Sequence, residues 1–266
     1  MILNTPSNPN ATIVPPSQGL GNPLSRRKPA DNPKYELRPN GERASQAIFS
    51  LYVVGGVLAA LVVSLCAQLY FLPEFKREVF DNLPLFRTIE SIHAKLSATL
   101  LLACLLSGIF FIRWFRRAYF NLHQLPVRTK YRESWALWSW VVPFANLVYP
   151  VRIMLELHAK SDHLLRGHPL AKGVLGKTEN VRLWWGLWMV YGVLSGLGDR
   201  FATQAYDLNT LQSSYQLQAA ISAFGILAAY LAVLVVREYA AIGHALRMVF
   251  RSEEDEIIDS FGPAKH

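Results

Sequence analysis

Residues 135–150 read WALWSWVVPFANLVYP, an uncharged apolar stretch that contains Pro143 and ends at Pro150. A proline removes one helix hydrogen bond and clashes with the preceding turn. Two prolines seven residues apart therefore disfavour a straight helix exposed to lipid. We predict a re-entrant or interfacial segment over residues 134–157, with Pro143 and Pro150 as its structural breaks.

Four other apolar blocks flank this segment. Blocks of about 18 or more apolar residues are typical of transmembrane helices. The composition agrees, because 52% of the residues are hydrophobic and only 17% are charged, whereas a soluble protein carries roughly a quarter charged residues. We predict an all-α polytopic membrane bundle with four spanning helices, at about 47–72, 96–115, 183–198 and 215–237.

The 27 Lys and Arg residues favour this topology over one with five spans. If all five blocks cross, the basic residues divide 13 to 14 between the two sides. If residues 134–157 enter and leave on one side, the division becomes 22 to 5. Because basic loops stay in the cytoplasm, we predict a protein of the cytoplasmic membrane with both termini cytoplasmic. The net charge of +8 then reflects orientation, and no nucleic acid is expected as a partner.

Both chain ends are predicted to be tails outside a membrane domain of residues 47–250. Residues 1–46 hold eight of the 15 prolines and six basic residues. This composition buries too little apolar surface to offset the entropy of ordering, so we predict a disordered, basic cytoplasmic tail. Residues 251–266 are acidic, and we expect them to be flexible.

Basic and aromatic side chains cluster beside the broken segment. Arg113, Arg116 and Arg117 are spaced i, i+3 and i+4, so they share one helix face. Arg152 and Glu156 are four residues apart, a spacing at which the two side chains could pair. Such a face would bind anionic lipid headgroups or an acidic protein partner, while ordinary anchoring by Arg and Trp is the alternative. The predicted binding residues are Arg113, Arg116, Arg117, Asn121, Trp135, Trp138, Asn146, Arg152 and Glu156.

Catalytic, cofactor and metal motifs are not found in the sequence. His158, His163 and His168 are spaced by five, so they do not share a helix face, and the two cysteines have no His or Cys partner at metal spacing. We therefore predict no catalytic residue, no metal and no cofactor. Small-residue faces for close helix packing are expected at Gly55, Gly56, Gly192 and Gly196.

Two other functions stay open. A small-molecule or ion transporter or channel would line a cavity with residues 134–157, although the spans lack the central charged residue that ion-coupled transporters usually need. A membrane enzyme acting on lipid would need Glu156, His158 and His123 to converge near the interface.

Two stretches resemble the signatures of a known family. Residues 111–122, FIRWFRRAYFNL, resemble one signature of the bacterial family called domain of unknown function 4328. Residues 135–150 resemble its other signature, a Trp, then Trp-x-x-Pro, then Asn-Leu and a second Pro, and the pair Trp184 and Trp185 also fits. The resemblance covers roughly residues 47–250. It implies a bacterial multi-spanning membrane protein without an established activity.

Overall fold

The regular secondary structure of the described residues is helical, as the sequence predicted. The computed structural model describes residues 37–76, 83–169 and 177–260, and within these ranges it contains no strand. The all-α prediction is therefore confirmed for the described residues. The helices are α1 (Gly41–Lys76), α2 (Leu83–Gln124), α3 (Trp135–Val141), α4 (Tyr149–Leu165), α5 (Thr178–Thr203) and α6 (Leu208–Ser260), with a short 3-10 helix (Ala145–Leu147) between α3 and α4.

Three of these helices are long and apolar enough to cross a membrane. They are α1 over Gly41–Pro73, α2 over Leu83–Gln124 and α6 over Leu208–Ser252. This is the pattern of a multi-pass membrane protein. The predicted span 183–198 lies inside α5, which is not among these three, so the four-span topology stays a prediction.

The helix ends lie further out than the sequence predicted. α1 begins at Gly41 rather than at residue 47, and Ala44 in its first turns is buried. α2 begins at Leu83, so residues 83–95, which precede the predicted span 96–115, are also helical. The reason is that a charged residue ends an apolar block but not a helix, since Lys, Arg and Glu are good helix formers.

The predicted tails are corrected for the same reason. Residues 41–46 belong to α1, and residues 251–260 continue α6 as far as Ser260. No Gly or Pro interrupts residues 251–260, and glutamate favours helix there. The predicted disorder of residues 1–36 and the predicted flexibility of residues 261–266 lie outside the described residues.

The long helices pack side by side in the order α2, α1, α6, α5. α1 contacts both α2 and α6 along its length, and α5 packs on α6. The backbones of α2 and α5 stay apart, although the rings of Phe111 and Trp184 meet with centroids 5.3 Å apart. The bundle is therefore open along part of the boundary between α2 and α5.

The most deeply buried core lies at one end of the bundle. α2 and α6 have 42 and 53 residues, about 63 and 80 Å at 1.5 Å per residue, which is far more than the roughly 30 Å of a bilayer core. At the end that holds α4, Trp114, Phe115 and Tyr119 of α2 are fully buried. They share one core with fully buried residues of α4 and α6, which are Ile153, Met154, Leu157, Val235, Val236 and Ile242.

Close helix packing occurs at two glycines that the sequence did not single out. A Cβ added at Gly225 would lie 2.6 Å from Cε2 of Tyr191, and one at Gly198 would lie 2.7 Å from Cδ1 of Ile221. Both contacts join α5 to α6. The predicted packing glycines have open space instead, since an added Cβ meets nothing within 4 Å at Gly55, Gly56, Gly192 or Gly196.

We predict that Gly225→Ala destabilises the bundle while Gly192→Ala does not. The new Cβ at position 225 meets the stiff ring of Tyr191, and overpacking of this kind costs about 1–3 kcal/mol. At position 192 the space is open, so alanine is neutral or gains up to about 1 kcal/mol of helix propensity. Thermal unfolding in a neutral detergent measures both. Equal stability of the two variants would contradict the α5–α6 packing.

Candidate functional site

The predicted broken segment does break, and the break lies between Val142 and Val148. α3 ends at Val141, and Val142 is extended. Phe144 has φ +62° and ψ −34°, and the Ala145 N–H donates to the Pro143 carbonyl at 2.7 Å. This is a γ-turn, a strained conformation for a residue with a bulky side chain. Pro150 lies in the first turn of α4, where proline is tolerated, so it begins a helix rather than breaking one.

Aromatic side chains attach this segment to the bundle. The ring of Trp140 meets Phe111 and Trp185, with centroids 5.5 and 5.9 Å apart. The indole Nε1 of Trp185 donates to the Leu147 carbonyl at 3.2 Å. That bond gives a partner to a backbone group at the break, where regular helix bonding has stopped.

The tip of the segment points apolar side chains away from the protein. Phe144 is 84% exposed, and Val141 and Trp138 are also mostly exposed. Trp135, by contrast, stacks on Tyr149 with centroids 4.9 Å apart, and Asn146 is half-buried. The predicted site residues on this segment are therefore not gathered in one place.

Glu156 is held by the loop that follows α2. The Tyr119 hydroxyl donates to Glu156 Oε2 at 3.0 Å, and the Lys130 N–H donates to Oε1 at 2.5 Å. Glu156 forms an ion pair with Lys160 at 2.5 Å, and only 9% of the Glu156 side chain is exposed. The predicted pair with Arg152 is therefore wrong, because Glu156 points towards α2 and Arg152 is exposed to the outside.

The three side chains proposed for an enzyme site contact different groups. The ring nitrogens of His123 lie 3.0 Å from the Tyr119 carbonyl and 3.1 Å from the Tyr131 carbonyl. His158 is fully buried two residues after Glu156, on the side of α4 that packs against Tyr239 of α6. His123, Glu156 and His158 therefore do not converge as an acid–base set.

Four arginines and one glutamate line an open cleft of about 330 Å³ at the same end of the bundle. The guanidinium of Arg38 lies 4.6 Å from the centre of the Phe120 ring, and that of Arg117 lies 5.9 Å from it. Cations are attracted to the face of an aromatic ring, so Phe120 orients both groups. We call this the arginine cleft, and its residues are Arg38, Arg43, Arg116, Arg117, Phe120 and Glu133.

The first residues of the described chain are fastened to α2 beside this cleft. The Arg38 N–H donates to Asn121 Oδ1 at 3.1 Å, and Asn121 Nδ2 donates to the Arg38 carbonyl at 2.8 Å. Arg43 Nη1 reaches the Arg113 carbonyl at 3.4 Å. Asn121 therefore binds the backbone of Arg38 and does not line the cleft. The side chain of Arg113 is exposed and does not line the cleft either.

The sequence analysis named two of the four arginines that line the cleft. Arg116 and Arg117 were predicted from their helical spacing, whereas Arg38 and Arg43 were assigned to a disordered tail. The available signal was Arg43 lying only four residues before the apolar block at Ala47. Among the described residues, no group of three His, Cys, Asp or Glu side chains is arranged to hold a metal ion.

One family model matches the chain. It is described as "Domain of unknown function (DUF4328)" and covers residues 86–241. None of the curated proteins and none of the solved structures compared with the chain matches it. The matched range contains Arg116, Arg117 and Glu133 of the cleft, and Arg38 and Arg43 precede it.

We predict that Asn121→Ala weakens the attachment of residues 37–40 to α2. The substitution removes both hydrogen bonds to Arg38, each worth about 0.5–1.5 kcal/mol. Hydrogen exchange of the amides around Arg38 and Gly41 should speed up by about tenfold. Asn121→Asp is the matched variant, because it keeps the acceptor but loses the donor, and we expect an intermediate effect. Unchanged exchange in Asn121→Ala would contradict the attachment.

We also predict a stability loss on acidification that depends on His158. Burial lowers the pKa of His158 to about 4, and neither ring nitrogen has a hydrogen-bond partner among the described residues. Between pH 6.5 and 4 the unfolded chain takes up a proton that the folded chain does not, so the free energy of unfolding falls as pH falls. The slope is at most about 1.4 kcal/mol per pH unit.

The test compares unfolding of the wild type and His158→Leu between pH 7 and 4. Carboxylates titrate in both proteins, so the difference between the two curves isolates His158. We expect the variant to lose less stability on acidification, and parallel curves would contradict the assignment.

Proposed function

The chain belongs to the family described as domain of unknown function DUF4328, and on that premise we propose that it is a non-enzymatic membrane protein that binds the phosphate of anionic lipid headgroups in its arginine cleft. The observation that carries the proposal is the cleft itself, with four guanidinium groups and one carboxylate around a space of about 330 Å³. Arginine binds phosphate through paired N–H donors in a fixed planar geometry. A phosphate that accepts two hydrogen bonds from an arginine would offset the repulsion between the guanidinium groups.

The proposed topology puts this cleft at the cytoplasmic surface of the cytoplasmic membrane. We propose four spans, with α5 as the fourth, a re-entrant segment over residues 134–157, and both termini cytoplasmic. Contacts of α4 support this arrangement, because Lys160 Nζ donates to the Arg128 carbonyl and Glu156 bonds Lys130. The end of α4 therefore meets the loop that follows α2, as expected if the segment returns to the side it left.

The apolar tip of the broken segment supports the same placement. Phe144 and its exposed neighbours would enter the acyl region of the cytoplasmic leaflet, while the polar loop beside Glu156 stays near the headgroups. Irregular backbone is tolerated at such a depth only when protein covers it. The bond from Trp185 to the Leu147 carbonyl supplies part of that cover.

A transporter or channel is the second candidate. Ser97, Asp199 and Gln218 contribute polar groups to the lining of a cavity between the helices. On the side towards the arginine cleft, this cavity meets an apolar one, so no continuous polar path runs through the described part of the bundle. A lipid-modifying enzyme is less favoured, since its three side chains do not converge.

Lipid titration of the purified protein in neutral detergent tests the proposal. Phosphatidylglycerol should raise the unfolding temperature more than phosphatidylcholine does, because a ligand that binds only the folded state stabilises it. The double variant Arg116→Gln/Arg117→Gln should bind phosphatidylglycerol about 30-fold more weakly, at about 1 kcal/mol per arginine near an anionic surface. Glu133→Gln should bind more tightly, because it removes the carboxylate that lines the cleft.

Arg113→Gln is the matched control, since Arg113 lies on the same helix but does not line the cleft. It should bind phosphatidylglycerol like the wild type. Equal stabilisation by the two lipids, or an equal loss in Arg113→Gln and in the double variant, would overturn the proposal. Soluble glycerol phosphate that competes with the lipid would identify the phosphate as the recognised group. Binding of an acidic peptide without any lipid effect would instead indicate a protein partner.

A further inference from the structure

Two adjoining cavities lie between α2 and α5, where the bundle is open. The first has a volume of about 210 Å³ and is almost entirely apolar, with Gly108, Ile112 and Trp188 in its walls. The second has a volume of about 280 Å³ and lies further from the arginine cleft. Cys104 and Tyr191 line both cavities, so the two cavities adjoin at these side chains, and we call the pair the lateral groove. Together they reach the roughly 300–1,000 Å³ of small-molecule sites.

The two ends of the lateral groove differ in polarity. The apolar end is bounded by the ring of Phe111, which contacts the rings of both Trp140 and Trp184. The other end carries hydroxyl, amide, imidazole and carboxylate groups, from His93, Ser97, Ser195, Asp199, Gln218 and Ser222. A groove that changes from apolar to polar along its length fits an amphiphile with an acyl chain at one end and a polar head at the other.

The polar end selects against phosphate. Asp199 is its one carboxylate, and neither Lys nor Arg is among the residues that line it. Among the described residues that line this end, a phosphate would meet no Lys or Arg and would face a like charge, which is destabilising. Hydroxyl groups fit the polar end better, because they can donate hydrogen bonds to the Asp199 carboxylate and the Gln218 amide oxygen. The buried Nδ1 of His93, which has no partner among the described residues, can accept one more.

The surroundings of the groove indicate entry from the lipid bilayer. Leu101 and Leu105 on α2 are 66% and 59% exposed, and Val193 on α5 is 63% exposed. Exposed apolar side chains on α2 and α5 are ones that lipid would cover in a membrane. A ligand with an acyl chain can therefore slide in sideways without crossing water.

We propose that the lateral groove binds a single lipid with an uncharged, hydroxyl-bearing headgroup, such as a diacylglycerol. The acyl chain occupies the apolar end beside Gly108, and the hydroxyl head lies among Asp199, Gln218 and Ser222. This site does not depend on the arginine cleft, whose four guanidinium groups call for the opposite headgroup chemistry.

Photolabelling of the protein in phosphatidylcholine nanodiscs tests the site. One probe is a diacylglycerol with a photoreactive diazirine in its acyl chain, and the other is a phosphatidylglycerol with the same chain. Labelled peptides are then identified by mass spectrometry. With diacylglycerol, labels should concentrate on the groove residues near Gly108 of α2 and near Tyr191 of α5, and excess unlabelled diacylglycerol should suppress them.

Gly108→Leu fills the groove without disturbing the fold. An added Cβ at Gly108 meets nothing within 4 Å, so the new side chain enters the open space of the apolar end. Diacylglycerol labelling should fall about tenfold, as the loss of burial for two methylene groups predicts. Gly192→Leu is the matched control on α5, because position 192 also has open space and lines neither cavity. Its labelling should equal that of the wild type.

Asp199→Leu provides a second variant, since Asp199 is exposed and its replacement does not disturb the core. It should reduce diacylglycerol labelling and leave phosphatidylglycerol labelling unchanged. Labels spread evenly over all exposed apolar faces, or equal labelling in Gly108→Leu and Gly192→Leu, would overturn the proposal. Phosphatidylglycerol that labels the groove as strongly as diacylglycerol would overturn the headgroup assignment. Labelling near Phe120 reports on the arginine cleft separately.

Discussion

Trp140 meets Phe111 and Trp185 ring to ring, and this contact joins the broken segment to α2 and α5. A chain interrupted at Phe144 has backbone groups that no regular helix satisfies, and such groups are costly away from water. The aromatic layer packs beside the break, and the Trp185 indole gives the Leu147 carbonyl a partner. This layer positions α3 and the break, whereas α4 is also held by its buried residues in the core and by the bonds of Glu156. Without the layer, the adjacent core around Trp114, Phe115 and Tyr119 would lose the packing that Trp140 contributes.

The same aromatic layer separates two regions of different chemistry. On one side are the loop bonded to Glu156, the buried core and the arginine cleft, where four guanidinium groups face one carboxylate. On the other side is the lateral groove, which begins apolar and ends among hydroxyl and amide groups. Among the described residues, the bundle therefore presents four arginines on one side of the layer and, on the other, a groove whose lining contains no Lys or Arg. The open space between α2 and α5 follows from their packing, because α1 and α6 lie between them.

The sequence predicted the features that depend on local chemistry. Helical class, membrane-length helices and the break near Pro143 follow from apolar blocks and from the missing N–H of proline, and the family was identified from two motifs. Features that depend on tertiary contacts were missed. Composition assigned Arg38 to a tail because nothing local reveals that Asn121, 83 residues away, holds its backbone. The partner of Glu156 was misjudged since spacing permits both Arg152 and Lys160, and only the orientation of α4 selects Lys160.

Cysteine accessibility in intact cells tests most directly the claim that the broken segment returns to the side it left. Cys66 and Cys104 would be replaced by serine, and single cysteines introduced at three exposed positions, Arg128, Arg166 and Tyr206. A membrane-impermeant thiol reagent added outside should label position 206 alone, with positions 128 and 166 reacting only after the membrane is opened. Labelling of positions 128 and 166 from opposite sides would mean that residues 134–157 cross the membrane. The arginine cleft and the end of α4 would then not share one surface, and the proposed re-entrant topology would be wrong.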